Sequence, residues 1–231
     1  MTVKKMTESA LRPEESSLFG RVYRKGELNE CCRSRNARAK EGCSTVSPAA
    51  VSLDGLNDVL NLSAFAVQDG LSLRESAHSV LTSLHRPLGA HVLNAETLIE
   101  IIEESHGAEA PKTVGKLRDA FADFRRELMS HLFLEEDVLY PWIFSGNGWS
   151  ALELIDDLQY QHKVLAMKIK TVSVPALRLV KMKDVCDGRI ALLRTLKKLE
   201  ALLNEHIRAE ETILFPRALR VSVESTGENK G

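Results

Sequence analysis

Two segments of the chain, HLFLEEDVLYP at His131–Pro141 and HIRAEETILFP at His206–Pro216, repeat one pattern at an offset of 75 residues: H-x3-E-E-x2-L-aromatic-P. In each, a histidine and a glutamate stand four residues apart, one helical turn, within a run of apolar residues spaced by three and four. A helix that turns this face inward buries an imidazole and a carboxylate together. Burying Glu135 and Glu210 without partners would cost more than a small core returns, so whatever fold forms must bring compensating charge to them.

The surrounding periodicity says which fold that is. A first stripe runs Leu81, His85, Leu88, Val92, Ala95, Ile99, Ile102 and His106, closed by Gly107 and Pro111. A second runs Leu117, Phe121, Phe124, Leu128, His131, Glu135, Val138 and Trp142, ending before Gly146 and Gly148. The third is Ile155, Leu158, His162, Leu165, Ile169 and Val172, closed by Pro175, and the fourth is Leu196, Leu199, Leu203, His206, Glu210 and Ile213, with Pro216 at its exit. Ser72-Leu-Arg-Glu75 has the capping-box pattern of a helix start. Strand alternation is absent. The reading is all-α: an up-down antiparallel four-helix bundle over residues 72–220. Pro87 leaves two options, a first helix kinked just after His85 or one that begins near Pro87 with a shorter helix before it.

Every one of the four stripes carries a metal-ligating side chain. His85 to His131 spans 46 residues and His162 to His206 spans 44, so each antiparallel hairpin returns the chain to the same height. His85, His131, Glu135, His162, His206 and Glu210 can then meet in one layer. Four imidazoles and two carboxylates match a binuclear centre with the glutamates bridging, and nitrogen and oxygen donors without thiolate suit iron or manganese. Glu127, one turn before His131, is placed to accept from that imidazole.

The remaining histidines read differently. His106 lies 21 residues beyond His85, about 31 Å of helical rise, which puts it at the other end of the bundle. His78 precedes His85 by one heptad, roughly 10 Å, in an outer shell or an access route. His91 is off the stripe and faces solvent. Glu136 and Glu211 sit about 100° round the helix from the bridging positions and read as rim residues, while Tyr140 and Phe215 read as packing at helix exits.

Composition excludes several classes. With 31 basic and 32 acidic residues the formal net charge is −1, which gives no reason to expect nucleic acid as a partner. The longest apolar stretches, such as VLNLSAFAV at 59–67, are too short for a membrane span, and no secretory signal opens the chain. Four cysteines, Cys31, Cys32, Cys43 and Cys186, do not form a disulfide framework, so a cytoplasmic, reducing location is expected. Residues 1–18 and 221–231 read as flexible ends. Residues 19–62 read as a small helical module with a linker, holding Cys31, Cys32 and a basic run from Arg33 to Lys40. Those cysteines are redox-active thiols, soft-metal ligands or chemically indifferent. No nucleotide-binding or nucleophile motif is present.

The two repeated segments, with SLHRPL around His85 and Gln161-His162, resemble the repair-of-iron-centres (ScdA-type) family within the hemerythrin-like HHE group. RVYRKGELNECC at 21–32 resembles that family's amino-terminal cysteine module, with Arg33 and Ser34 where the family has two glycines. Gln161 takes the place of the family's usual glutamate, and Cys186 and His106 stand where the family keeps a cysteine and a histidine. The resemblance implies two iron ions on His85, His131, Glu135, His162, His206 and Glu210, bridged by the two glutamates, with or without an oxo group. Glu127, His78, His106, Cys31 and Cys32 are then outer-shell or redox residues. It implies repair of iron–sulfur clusters damaged by oxidative or nitrosative stress, by supplying iron or handling nitric oxide. The clients are damaged iron–sulfur proteins, the small ligands nitric oxide or dioxygen, and the assembly a homodimer. The alternative is a hemerythrin-like module that binds or senses oxygen, nitric oxide or iron without turnover. A di-iron oxidase is disfavoured, because such centres carry more carboxylates and fewer histidines.

Overall fold

In the computed structural model, residues 70–145, 151–182 and 185–220 are described, with the side chains of 151 and 152 left aside. The module expected at 19–62, with Cys31, Cys32 and Cys43, and the expected end segments 1–18 and 221–231 lie outside these residues.

The bundle is built from four helical rods. The first joins α1 (Leu73–Val80) to α2 (Arg86–His106), and the second joins α3 (Pro111–Leu134) to α4 (Tyr140–Ser145). The third is α5 (Ala151–Val180). The fourth is α6 (Asp187–Ala209), whose chain continues helically to residue 220. Ser72 starts the first rod with a complete capping box. Its hydroxyl accepts from the Glu75 amide, and Glu75 accepts from the Ser72 amide at 2.8 Å. α2 packs against α3 and α6, and α5 packs against α3 and α6, so each rod touches its neighbours in chain order and the last closes on the first. That is the up-down four-helix arrangement the stripes require.

The stripe residues form the core. Leu88, Val92, Ala95, Ile102, Leu117, Phe124, Leu128, Leu158, Leu165, Val172, Leu196, Leu199 and Leu203 are all almost fully excluded from solvent. Each such aliphatic side chain contributes on the order of 1.5–3 kcal/mol of burial, which is what holds rods of ordinary helix propensity together. α1 extends the first rod, touching α4 and the segment Glu210–Leu214. Arg217 fastens it there, donating to the Leu71 carbonyl at 2.5 Å and to Ser76 Oγ at 2.8 Å.

Three rods contain a π-helical turn: Leu81–His85, Glu135–Leu139 and Glu210–Leu214. In each, the amide after the turn bonds five residues back: Arg86 to Leu81, Tyr140 to Glu135 and Phe215 to Glu210. A proline follows each turn at the second position, Pro87, Pro141 and Pro216. Proline has no amide to give to an α-helical ladder and its ring crowds the carbonyl four back, so a wider turn just before it relieves the conflict. The first rod therefore does not start at Pro87: helical backbone runs from Leu73 through the proline to His106. Pro141 and Pro216 likewise lie inside rods that continue beyond them, not at helix exits.

Candidate metal centre

The six residues singled out by the stripes converge in one dry layer. His131, Glu135, His206 and Glu210 are 0% exposed, His162 is 1% and His85 is 3%. One donor atom from each of His131, Glu135, His162, His206 and Glu210 falls within 4.8 Å of all the others. His85 closes the layer from the first rod, its Nε2 being 3.3 Å from Glu135 Oε2.

The two carboxylates reach across the layer. Glu135 offers Oε1 to His131 Nε2 at 3.0 Å, to His206 Nε2 at 3.7 Å and to His162 Nε2 at 3.8 Å, while its Oε2 faces His85. Glu210 offers Oε2 to His162 Nε2 at 3.4 Å and to His206 Nε2 at 3.6 Å. The Nε2 atoms of His131 and His206 face each other at 3.1 Å.

Outer partners orient the imidazoles. His85 Nδ1 pairs with Glu136 Oε1 at 3.0 Å, His162 Nδ1 with Glu211 Oε1 at 3.0 Å, and His131 Nδ1 with Gln161 Oε1 at 3.1 Å. Each acceptor draws the ring proton to Nδ1, leaving Nε2 free to donate its lone pair inward. The hydrogen bond from Glu136 helps raise His85 against its burial.

Electrostatics shows what charge the layer calls for. Burial opposes ionisation of Glu135, yet the charges of His131 and His206 hold its carboxyl well below the usual range. Burial, reinforced by the charge on Glu135, pushes Glu210 up. For His162 burial favours the neutral ring, but hydrogen bonds and charge from Glu135 and Glu210 outweigh it and raise it to about 10. Burial drives His206 well below its ordinary value. Without a cation, protons shared between imidazoles and carboxylates must do the charge balancing. Glu135 Oε1 and Oε2, Glu210 Oε2 and His162 Nε2 are buried with no aligned hydrogen bond. Buried orphans of this kind are rare, and their convergence with free imidazole nitrogens fits bound metal cations.

Several expectations need correction. Glu127 does not reach His131; it faces Lys168 Nζ at 3.4 Å, and Gln161 takes the position behind His131. Helical spacing put Glu127 on the right turn, but the lysine across the α3–α5 seam holds it. His78 is exposed, outside the donor layer as its spacing required. His106, as its spacing required, is buried at the opposite end, where its Nδ1 pairs with Glu109 Oε2 at 3.2 Å and neighbouring Cys186 raises its pKa. His91 is half-buried instead of facing solvent.

Glu136 and Glu211 stand at the rim and Phe215 packs, as read, but each touches an imidazole of the layer, and Tyr140 brings a hydroxyl into it. The Tyr140 hydroxyl donates to Glu210 Oε1 at 2.6 Å and lies 3.2 Å from His85 Nε2. Phe215 stacks on His162, with ring centroids 5.8 Å apart and planes 5° from parallel. The π turns explain all four. An i→i+5 turn holds more residues than an α turn, so adjacent side chains diverge by less than the α-helical ~100°, and the residue five on stands over the first. The glutamate doublets and aromatic-proline pairs, repeated at identical places in both segments, were the signal in the sequence.

A cation-binding four-helix bundle is the class this fold and donor layer define. Residues 77–218 match the hemerythrin HHE cation-binding domain family, and the chain belongs to it. Among curated proteins it is similar to the iron–sulfur cluster repair protein YtfE of Yersinia pseudotuberculosis serotype IB (strain PB1/+) and of Yersinia pestis. Each is 27% identical, covering 87% of this chain and 90% of the relative. The protein of that name from Pectobacterium atrosepticum matches with the same identity and coverage. No helix among the described residues is long and apolar enough to cross a membrane.

Proposed function

We propose that the chain holds two iron ions in this layer and serves the repair of iron–sulfur clusters damaged by oxidative or nitrosative stress. The observation that carries the reading is the meeting of four imidazoles and two buried carboxylates from all four rods. The relatives named for cluster repair, matched over nearly their whole length, supply the biological direction. His85, His131, His162 and His206 would be the terminal ligands and Glu135 and Glu210 the bridges, since each carboxylate faces imidazoles from more than one rod. When bound, such a pair of ions supplies exchangeable iron and a site for a small ligand such as nitric oxide or dioxygen.

The protein's own contribution is to hold Nε2 lone pairs inward, exclude bulk water, and keep on Glu210, His85 and His162 protons that cations can displace. The clients would be proteins with damaged clusters, and the chain would act as a homodimer.

The test is reactivation of an enzyme whose [4Fe–4S] cluster has been damaged by nitric oxide, using the iron-loaded full chain. Faster recovery than with an equal amount of free ferrous iron supports repair. Reversible uptake of dioxygen or nitric oxide with no iron transfer and no rate gain would replace it with a binding or sensing role.

A further inference from the structure

Tyr140 and Phe215 occupy the same place in the two repeated segments, yet only one of them carries a hydroxyl. The segments agree at the histidine, both glutamates, the leucine and the proline. Their aromatic rings also play matching parts: Tyr140 stacks on His85 with centroids 5.6 Å apart, as Phe215 does on His162 at 5.8 Å. Both rings are almost fully buried, Tyr140 at 2% and Phe215 at 1%. Phenylalanine at position 140 would fill the same space without the cost of burying a hydroxyl. The hydroxyl must therefore be satisfied inside the layer, and Glu210 Oε1, at 2.6 Å, accepts from it.

We propose that Tyr140 is a positioning residue for Glu210 and makes the two halves of the centre unequal. Its hydrogen bond fixes Oε1 of Glu210 on the side of His85, 3.2 Å from the phenol oxygen, and leaves Oε2 to face His162 and His206. Glu135 has no such outer partner: its oxygens face the imidazoles of the layer, His131 at 3.0 Å and His85 at 3.3 Å. One carboxylate is thus aimed by a group outside the ligand set and the other by the ligands alone. This rests on reading the layer as a binuclear metal centre.

The experiment titrates the metal-stripped full chain and its Tyr140→Phe variant with manganese(II), following each step by calorimetry and electron paramagnetic resonance. Because the ring is kept, any change reports the hydroxyl and not the packing on His85. Losing an outer hydrogen bond to a ligand typically weakens metal binding about 10–100-fold. We expect that loss on one of two binding steps, with the other within about 3-fold and the stoichiometry unchanged. Equal weakening of both steps, or no change in either, overturns the proposal. A second measurement uses the wild type alone, in case the variant folds poorly. In the ferric protein, a visible phenolate-to-iron charge-transfer band would show Tyr140 acting as a ligand and would overturn the donor role; its absence is expected. A wild-type chain that binds fewer than two manganese ions brings down the binuclear reading itself, and this proposal with it.

Discussion

His85 and Glu136 lie 51 residues apart in the chain, yet the ring Nδ1 and the carboxylate Oε1 meet at 3.0 Å. The pair joins the first rod to the second just outside the donor layer, and Glu211 makes the matching contact to His162 at 3.0 Å. Both glutamates are partly solvent-exposed, so their replacement leaves the core intact.

From that pairing, Glu136→Ala and Glu211→Ala should each lower metal affinity about 10–100-fold while shifting the melting temperature of the metal-free chain little. Glu136→Gln and Glu211→Gln retain an acceptor and should recover part of the loss. Competitive chelator titration measures the affinity, and circular dichroism melting measures the stability. Unchanged affinity in both alanine variants would remove these residues from the site.

The metal-free layer makes stability depend on pH with a definite sign. His162 is raised from 6.5 to about 10, so the folded chain keeps a proton that the unfolded chain releases. Its contribution is fully present below pH 6.5 and is lost as pH rises through about 10. His85 and Glu210, also raised, act in the same direction. Glu135 and His206 are lowered and exert their pH dependence below their ordinary values of 4.5 and 6.5, outside this window. Metal-free protein should therefore melt at progressively lower temperature between pH 6.5 and 9.5. Metal binding displaces those protons, so affinity should rise over the same range. A melting temperature that climbs with pH in the presence of chelator would contradict this electrostatic picture.

The apolar floor beneath the layer gives a test of packing. Phe124 is 0% exposed and lies two turns below His131 on the same stripe, whereas Phe133 is 59% exposed on the outside of the same helix. Phe124→Ala should cost about 3–5 kcal/mol, on the order of 10 °C in melting temperature. Phe133→Ala should fall within about 0.5 kcal/mol of the wild type. Denaturant unfolding of metal-free protein separates the two, and comparable losses would mean that the buried and exposed faces have been misassigned.

The bundle and the six donors were legible in the sequence because both follow the 3.6-residue period. Residues such as Leu128, His131 and Glu135 share one face of an ordinary helix whatever its partner. What followed from a departure in that period was not legible in the same way. Glu136 and Tyr140 reach the centre only because the turn Glu135–Leu139 is π-helical, and the mark of that turn is the proline two residues on. Glu127 failed for another reason. Its turn was right, but side-chain direction depends on what faces it, and Lys168 comes from a helix that spacing alone does not orient. The exchange of partners at His131, with Gln161 in place of Glu127, likewise needs the α3–α5 seam to be known.

The central claim is that His85, His131, Glu135, His162, His206 and Glu210 form one binuclear iron site. Elemental mass spectrometry of protein purified without chelating tags and reconstituted with ferrous iron under anaerobic conditions tests it most directly. The account predicts about two irons per chain, falling sharply in Glu135→Ala because that carboxylate faces all four imidazoles. A chain that remains metal-free after reconstitution, or retains a single zinc, would contradict it.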